Sequence, residues 1–173
     1  SMTDSQGVSA GTYTPSECVA YLGLGFDVAH KLALMAELNL IYSNLTAGFK
    51  GTAVAADLGA AYDVSGWRLA LTARNLGAPL KYSKTYSAKL PATVTFGVEK
   101  SFPILGQTLT VAADAGYMPA YSCFVAKAGM ELSLLRIIDL RAGLHYGSVA
   151  PVEPGYATVG LGVNIKVLRV GAA

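Results

Sequence analysis

Nine stretches of this chain alternate residue by residue between an apolar side and a side of small, polar and charged residues, and this constrains the fold more than any other feature. In Arg136-Ile-Ile-Asp-Leu-Arg-Ala-Gly-Leu-His-Tyr146, Ile138, Leu140, Ala142, Leu144 and Tyr146 fall on one face. Asp139, Arg141, Gly143 and His145 fall on the other. In 156–167, Ala157, Val159, Leu161, Val163 and Ile165 oppose Thr158, Gly160, Gly162, Asn164 and Lys166. A period of two means strand, because successive side chains of an extended chain point to opposite faces. The pattern predicts strands over 18–27, 31–42, 52–64, 67–75, 91–101, 107–117, 123–132, 136–147 and 156–167. The best helical competitor, 131–138, reads as a tight turn because alternation resumes after it.

The connections are ordered too. Val28-Ala-His30, Ser65-Gly66, Pro103-Ile-Leu-Gly106 and Ser133-Leu-Leu135 are short, and the links 43–51, 76–90, 118–122 and 148–155 between them are longer. Short turns at one end and long loops at the other describe an antiparallel up-and-down meander, the layout of outer-membrane barrels with their short periplasmic turns. A Greek-key sandwich mixes its loop lengths. The expected fold is therefore all-β, one domain over 1–173 forming an outer-membrane-type β-barrel or a large part of one. Residues 1–17 are an N-terminal arm or, over 8–14, an extra strand. Nine is an odd count, whereas bacterial single-chain barrels have even ones. A strand is thus missed, or the chain is part of a larger barrel, since unpaired edges are costly in lipid.

Composition bears on which face meets water. Hydrophobic residues make up 53% of the 173 and charged residues 14%, with a mean hydropathy of +0.43; soluble domains carry about 25% charge. The polar face is built of Gly, Ala and Thr with isolated charges of both signs: Asp57, Arg74, Glu99, Asp114, Lys127, Glu131, Asp139, Arg141 and Lys166. Small residues with paired charges suit the lumen of a barrel, which leaves the Leu/Val/Ile side facing lipid. Asp57, Arg74, Glu99, Asp114, Lys127, Asp139, Arg141 and His145 are the candidate lumen-facing residues, and Arg74 is placed to pair with Asp57 or an anionic ligand. Tyr42, Tyr62, Trp67, Tyr117, Tyr146 and Tyr156 gather toward strand ends, where an interfacial girdle would lie. The alternative is a soluble or periplasmic small barrel whose apolar face is a core that binds a lipid or other hydrophobe.

Other chemistry is weakly signalled. The two histidines are His30, in a short turn, and His145, near Ser148 but without an orienting acid close in sequence. A Ser–His hydrolase is thus a distant third reading, and the chain is expected not to be an enzyme. No metal-ligand spacing, P-loop or complete dinucleotide fingerprint occurs, so no metal or other cofactor is expected. The net charge of +2 suggests no nucleic-acid partner. Cys18 and Cys123 are too few for a disulfide framework and either pair across the barrel or stay free. There is no apolar run of about 18 residues to make a transmembrane helix. The polar opening Ser1-Met2-Thr3-Asp4 is no secretory signal, and a leader or longer N-terminal region is expected to have been removed.

The ordered set Gly11-Thr-Tyr-Thr-Pro-Ser16, Leu40-Ile-Tyr-Ser-Asn-Leu45, Ala56-Asp-Leu-Gly-Ala60, Leu71-Thr-Ala-Arg-Asn-Leu-Gly77 and Leu90-Pro91 followed by Gly97 resembles the FadL-like outer-membrane proteins that include PorV and PorQ of the type IX secretion system. The resemblance covers nearly the whole chain. It implies a fourteen-stranded barrel with an N-terminal plug-like segment, of which this chain would be a part. The family's Asn-Pro-Ala region and its closing strands after Lys166 have no counterpart in the sequence. What the resemblance implies for function is support of protein secretion, or passage of hydrophobic compounds, at the bacterial outer membrane. The partners would be membrane lipid and either secretion-system proteins or a hydrophobic ligand. Within the matched phrases, Gly77 is expected to adopt a backbone shape closed to other residues, and Leu90-Pro91 to open a strand.

Overall fold

The computed structural model describes residues 2–3, 9–11, 14–46, 49–83, 86–135, 137–165 and 168–172. Two short strands, β1 (Met2–Thr3) and β2 (Ser9–Gly11), pair with each other apart from the main sheet. The long strands follow: β3 (Ser16–Ala29), β4 (Leu32–Thr46), β5 (Phe49–Val64) and β6 (Trp67–Gly77). After two short pieces, β7 (Leu80–Lys81) and β8 (Ser87–Ala88), come β9 (Thr93–Ile104), β10 (Gln107–Met118), β11 (Cys123–Leu134), β12 (Ile138–Gly147), β13 (Tyr156–Ile165) and β14 (Leu168–Ala172). Every neighbouring pair is antiparallel, and the order runs β3-β4-β5-β6-β9-β10-β11-β12-β13-β14. This is the up-and-down meander that the alternation requires. Its outer strands, β3 and β14, do not pair with each other, so the sheet is an open, partial barrel.

All nine expected strands are present, with differences at their ends. β14 is a tenth, too short to display a period. The expected long link 43–51 is largely strand: β4 runs to Thr46 and β5 starts at Phe49, and these two residues pair. Polar and glycine-rich, that segment resembles loop in sequence, yet the cross-strand ladder continues through it. The link 118–122 shrinks to a 3-10 turn, Pro119–Tyr121, closed by Ser122. β9 begins at Thr93, two residues after Pro91, whose carbonyl instead accepts from Asn75 Nδ2 and Thr93 Oγ1. The extra strand considered at 8–14 is β2, outside the meander. Lys166 and Arg136 lie outside the described residues, as do 12–13 of the Gly11–Ser16 phrase.

The two faces of the sheet differ in chemistry and in exposure. Residues directly opposite on antiparallel neighbours share a face, and the ladder puts Leu22, Leu38, Leu58, Leu71, Phe96, Val111, Met130, Leu144 and Val159 on one side, every one exposed. Leu22 is 75% exposed and Val159 78%. The opposite side holds the buried polar groups Asn39, Ser43, Asp57, Asp139 and His145. A small apolar cluster, Met118, Cys123 and Val125, lies beneath Val149 and Val152 of the loop 148–155. Both cysteines are free, Cys18 exposed on β3 and Cys123 buried on β11.

Turn chemistry follows local rules. Ser65-Gly66 and Leu105-Gly106 each place two successive residues at positive φ, 49° and 78°, then 49° and 77°, as two-residue hairpins with the strand twist demand. At the β5–β6 bulge the left-handed residue is Asn75, φ 55°, and not Gly77. Gly77 is needed for space instead, because a Cβ there would strike the Val54 carbonyl. Asparagine takes the left-handed conformation at less cost than most side chains.

Candidate functional site

The charges on the inner face are not scattered. Cross-strand pairing builds them into rows: Gly97–Asp114–Lys127–His145–Tyr156 across β9 to β13, then Thr110–Glu131–Arg141–Gly160, then Ser133–Asp139–Gly162. Alternation places all of them on one side, and register sets them abreast.

The lower rows are internally satisfied. Arg141 Nε lies 2.6 Å from Glu131 Oε2, and its NH2 lies 3.2 Å from Asp139 Oδ2. Asp139, 1% exposed, also accepts from Ser133 Oγ at 2.8 Å and Asn164 Nδ2 at 2.8 Å. Such satisfaction is what makes a buried carboxylate tolerable. Glu99 and Arg141 border a cavity of about 330 Å³ together with Glu131. Asp57 is held in the β5–β6 bulge, where Oδ1 accepts from the Asn75 backbone N–H at 2.7 Å and Oδ2 lies 3.4 Å from Arg74 Nε. The sequence placed these two side chains as partners; the backbone bond, which the bulge creates, carries no signal in the sequence.

The upper row is different. Arg74, Asp114, Lys127 and His145 line one cavity of about 250 Å³ with Thr93 and Glu153. Lys127 and Asp114 stand directly opposite each other on β11 and β10, yet no ion pair joins them. His145 is stacked on Tyr156, ring centroids 4.6 Å apart and 10° from parallel. Tyr156 therefore shares the inner face and is no part of an outer girdle. Glu153 Oε2 approaches His145 Nε2 to 3.0 Å but lies off the N–H direction, so neither ring nitrogen makes a hydrogen bond. The acid beside His145 thus comes from the loop 148–155, eight residues on, where no periodic pattern points to it. Ser148 is not its partner: Ser148 Oγ accepts from the Phe124 N–H at 2.8 Å and faces Cys123 Sγ at 3.8 Å.

A second loop covers the inner face of β4 and β5. Lys81 pairs with Thr52, extending the sheet where β6 has ended, and Leu80 is buried against Gly51. Tyr82 OH donates to Ser43 Oγ, and Ser43 Oγ to Glu17 Oε1 at 3.0 Å. Tyr86 packs edge-on to Phe49 at 6.3 Å. Among the described residues, no group of three His, Cys, Asp or Glu side chains is gathered to hold a metal ion, and His30 is exposed in its turn. Comparison of the chain with protein-family models and with curated proteins returns no match.

Proposed function

We propose that this chain is a non-enzymatic outer-membrane β-barrel protein, or a large part of one, that supports protein secretion or the passage of hydrophobic compounds across the bacterial outer membrane. One observation carries the membrane reading. Among the described residues, the outward face of the long strands bears charge only at Lys50 and Lys100, near strand ends, with exposed Leu, Val, Ile, Phe and Met between. An apolar surface of that extent far exceeds the few hundred Å² that soluble monomers show. Lipid is the solvent that would favour it.

Two features add support. Lys100 sits over the Trp67 and Phe102 rings, 4.7 and 5.3 Å from their centroids, an arrangement suited to a headgroup layer. The inner face carries the charges and buried polar groups, as the wall of an aqueous lumen does. The FadL-like resemblance favours secretion or transport over other tasks, and edges left open at β3 and β14 would be closed by further strands in a complete barrel.

Folding in detergent or lipid vesicles tests the reading. The expected outcome is detergent-dependent folding, with a folded band that shifts on heating in semi-native gels. A folded, monomeric protein in plain buffer would overturn it and favour the soluble hydrophobe-binding barrel.

A further inference from the structure

We propose that the cavity bounded by Arg74, Asp114, Lys127, His145 and Glu153 is a binding site for a small zwitterion bearing both an ammonium and a carboxylate, of amino-acid size. Three features of this cavity converge, and none depends on whether the outer face meets lipid.

The first is the unclosed pair. Lys127 and Asp114 face each other across β10 and β11, both line the cavity, and no ion pair joins them. In the neighbouring row Glu131 and Arg141 occupy the same cross-strand relation and close to 2.6 Å. One free cation and one free carboxylate, set abreast, match the two ends of a zwitterion, whereas a simple anion would leave Asp114 opposing it.

The second is His145. Its side chain is 5% exposed and Nδ1 has no hydrogen-bond partner. A buried polar atom without a partner is costly, and the His145 ring borders the cavity, so a ligand that shifts the ring and meets one of its nitrogens recovers that cost. Glu153 Oε2, 3.0 Å from Nε2 and part of the same lining, adds a second carboxylate beside an incoming ammonium.

The third is Arg74. Asp57 engages only its Nε, so the terminal amino groups remain able to take a carboxylate with Lys127. The cavity, about 250 Å³, lies below the roughly 300 Å³ at which drug-sized ligands begin, a size that suits a single small molecule.

The test uses the folded protein in whichever medium holds it, with folding verified by circular dichroism. L-alanine, acetate and methylammonium are titrated separately by calorimetry and by the NMR shift of the His145 ring. The expected result is saturable L-alanine binding that moves the His145 signal and leaves His30 in place, with acetate and methylammonium at least about tenfold weaker. Asp114→Asn and Lys127→Met should each weaken L-alanine about tenfold, and Glu99→Gln in the adjacent cavity should not. Acetate binding as tightly as L-alanine would make this an anion site and overturn the proposal, and equal methylammonium binding would do so for a cation site. No His145 response to any probe in folded protein would also overturn it. Failure of detergent-dependent folding bears on the membrane reading alone.

Discussion

Tyr82 OH lies 2.9 Å from Ser43 Oγ, joining residues 39 positions apart in the chain and anchoring a surface connection to the inner wall. Ser43 is 1% exposed and passes its own hydrogen on to Glu17. A connection that could have hung free in solvent is tied across three strands.

Tyr82→Phe removes that tether and leaves the aromatic packing in place. The expected cost is about 1 kcal/mol, the net worth of one hydrogen bond, read as a shift in denaturation midpoint. Faster proteolytic cleavage within 78–92 should accompany it. Unchanged cleavage would mean the loop is held by β7 and Tyr86 alone.

Asp57 and Arg74 should not contribute equally. Arg74 is 66% exposed at its side chain and Asp57 5%, so the ion pair itself is worth at most about 1 kcal/mol. The carboxylate's bond to the Asn75 N–H lies in the bulge, and its loss costs about 1–3 kcal/mol more. Asp57→Ala is therefore expected to destabilise the fold clearly, and Arg74→Met little. Equal losses in a denaturant series would refute this ordering.

The alternation was enough to read nine strands, their antiparallel order and the face on which Asp57, Arg74, Glu99, Asp114, Lys127, Asp139, Arg141 and His145 fall. It could not rank those residues. Glu131 and Arg141 close, with Asp139 as a second acceptor, while Asp114 and Lys127 stay apart, and both pairs show the same alternation in sequence. Glu153 reaches His145 from a segment with no period. Leu168–Ala172 is too short to show alternation, and Ser43–Gly51 hides its pairing behind turn-like residues. Where structure is periodic the sequence announces it; where a loop folds onto the wall, only the three-dimensional contacts do.

Charge on the outer face offers the sharpest mutational contrast. Leu38→Lys, at the middle of β4, is expected to cost about 2–4 kcal/mol for folding into a bilayer, and less toward the strand ends. In water the same change would fall within about 0.5 kcal/mol of neutral. Folding titrations into vesicles distinguish the two, and a neutral result there would count against a lipid-facing surface.

The loop 148–155 shields Cys123. A Cβ on Gly147 would run into the Glu153 carbonyl, so Gly147→Val should lift the loop. In a Cys18→Ser background, Cys123 is expected to react slowly with thiol reagents and several-fold faster in the Gly147→Val variant. Equal rates would show that Val149 and Val152 hold the cover without that close approach.

Because each long strand pairs with its neighbours along the chain, contacts stay local, and that favours quick formation of successive hairpins. The same order makes the sheet extensible. A further hairpin inserted at any of the tight turns would widen the wall by two strands, replacing the one pairing it separates and leaving every other register as it is. The width of the wall is then a quantity that can change by duplication, one hairpin at a time, with a single ladder rebuilt at each step.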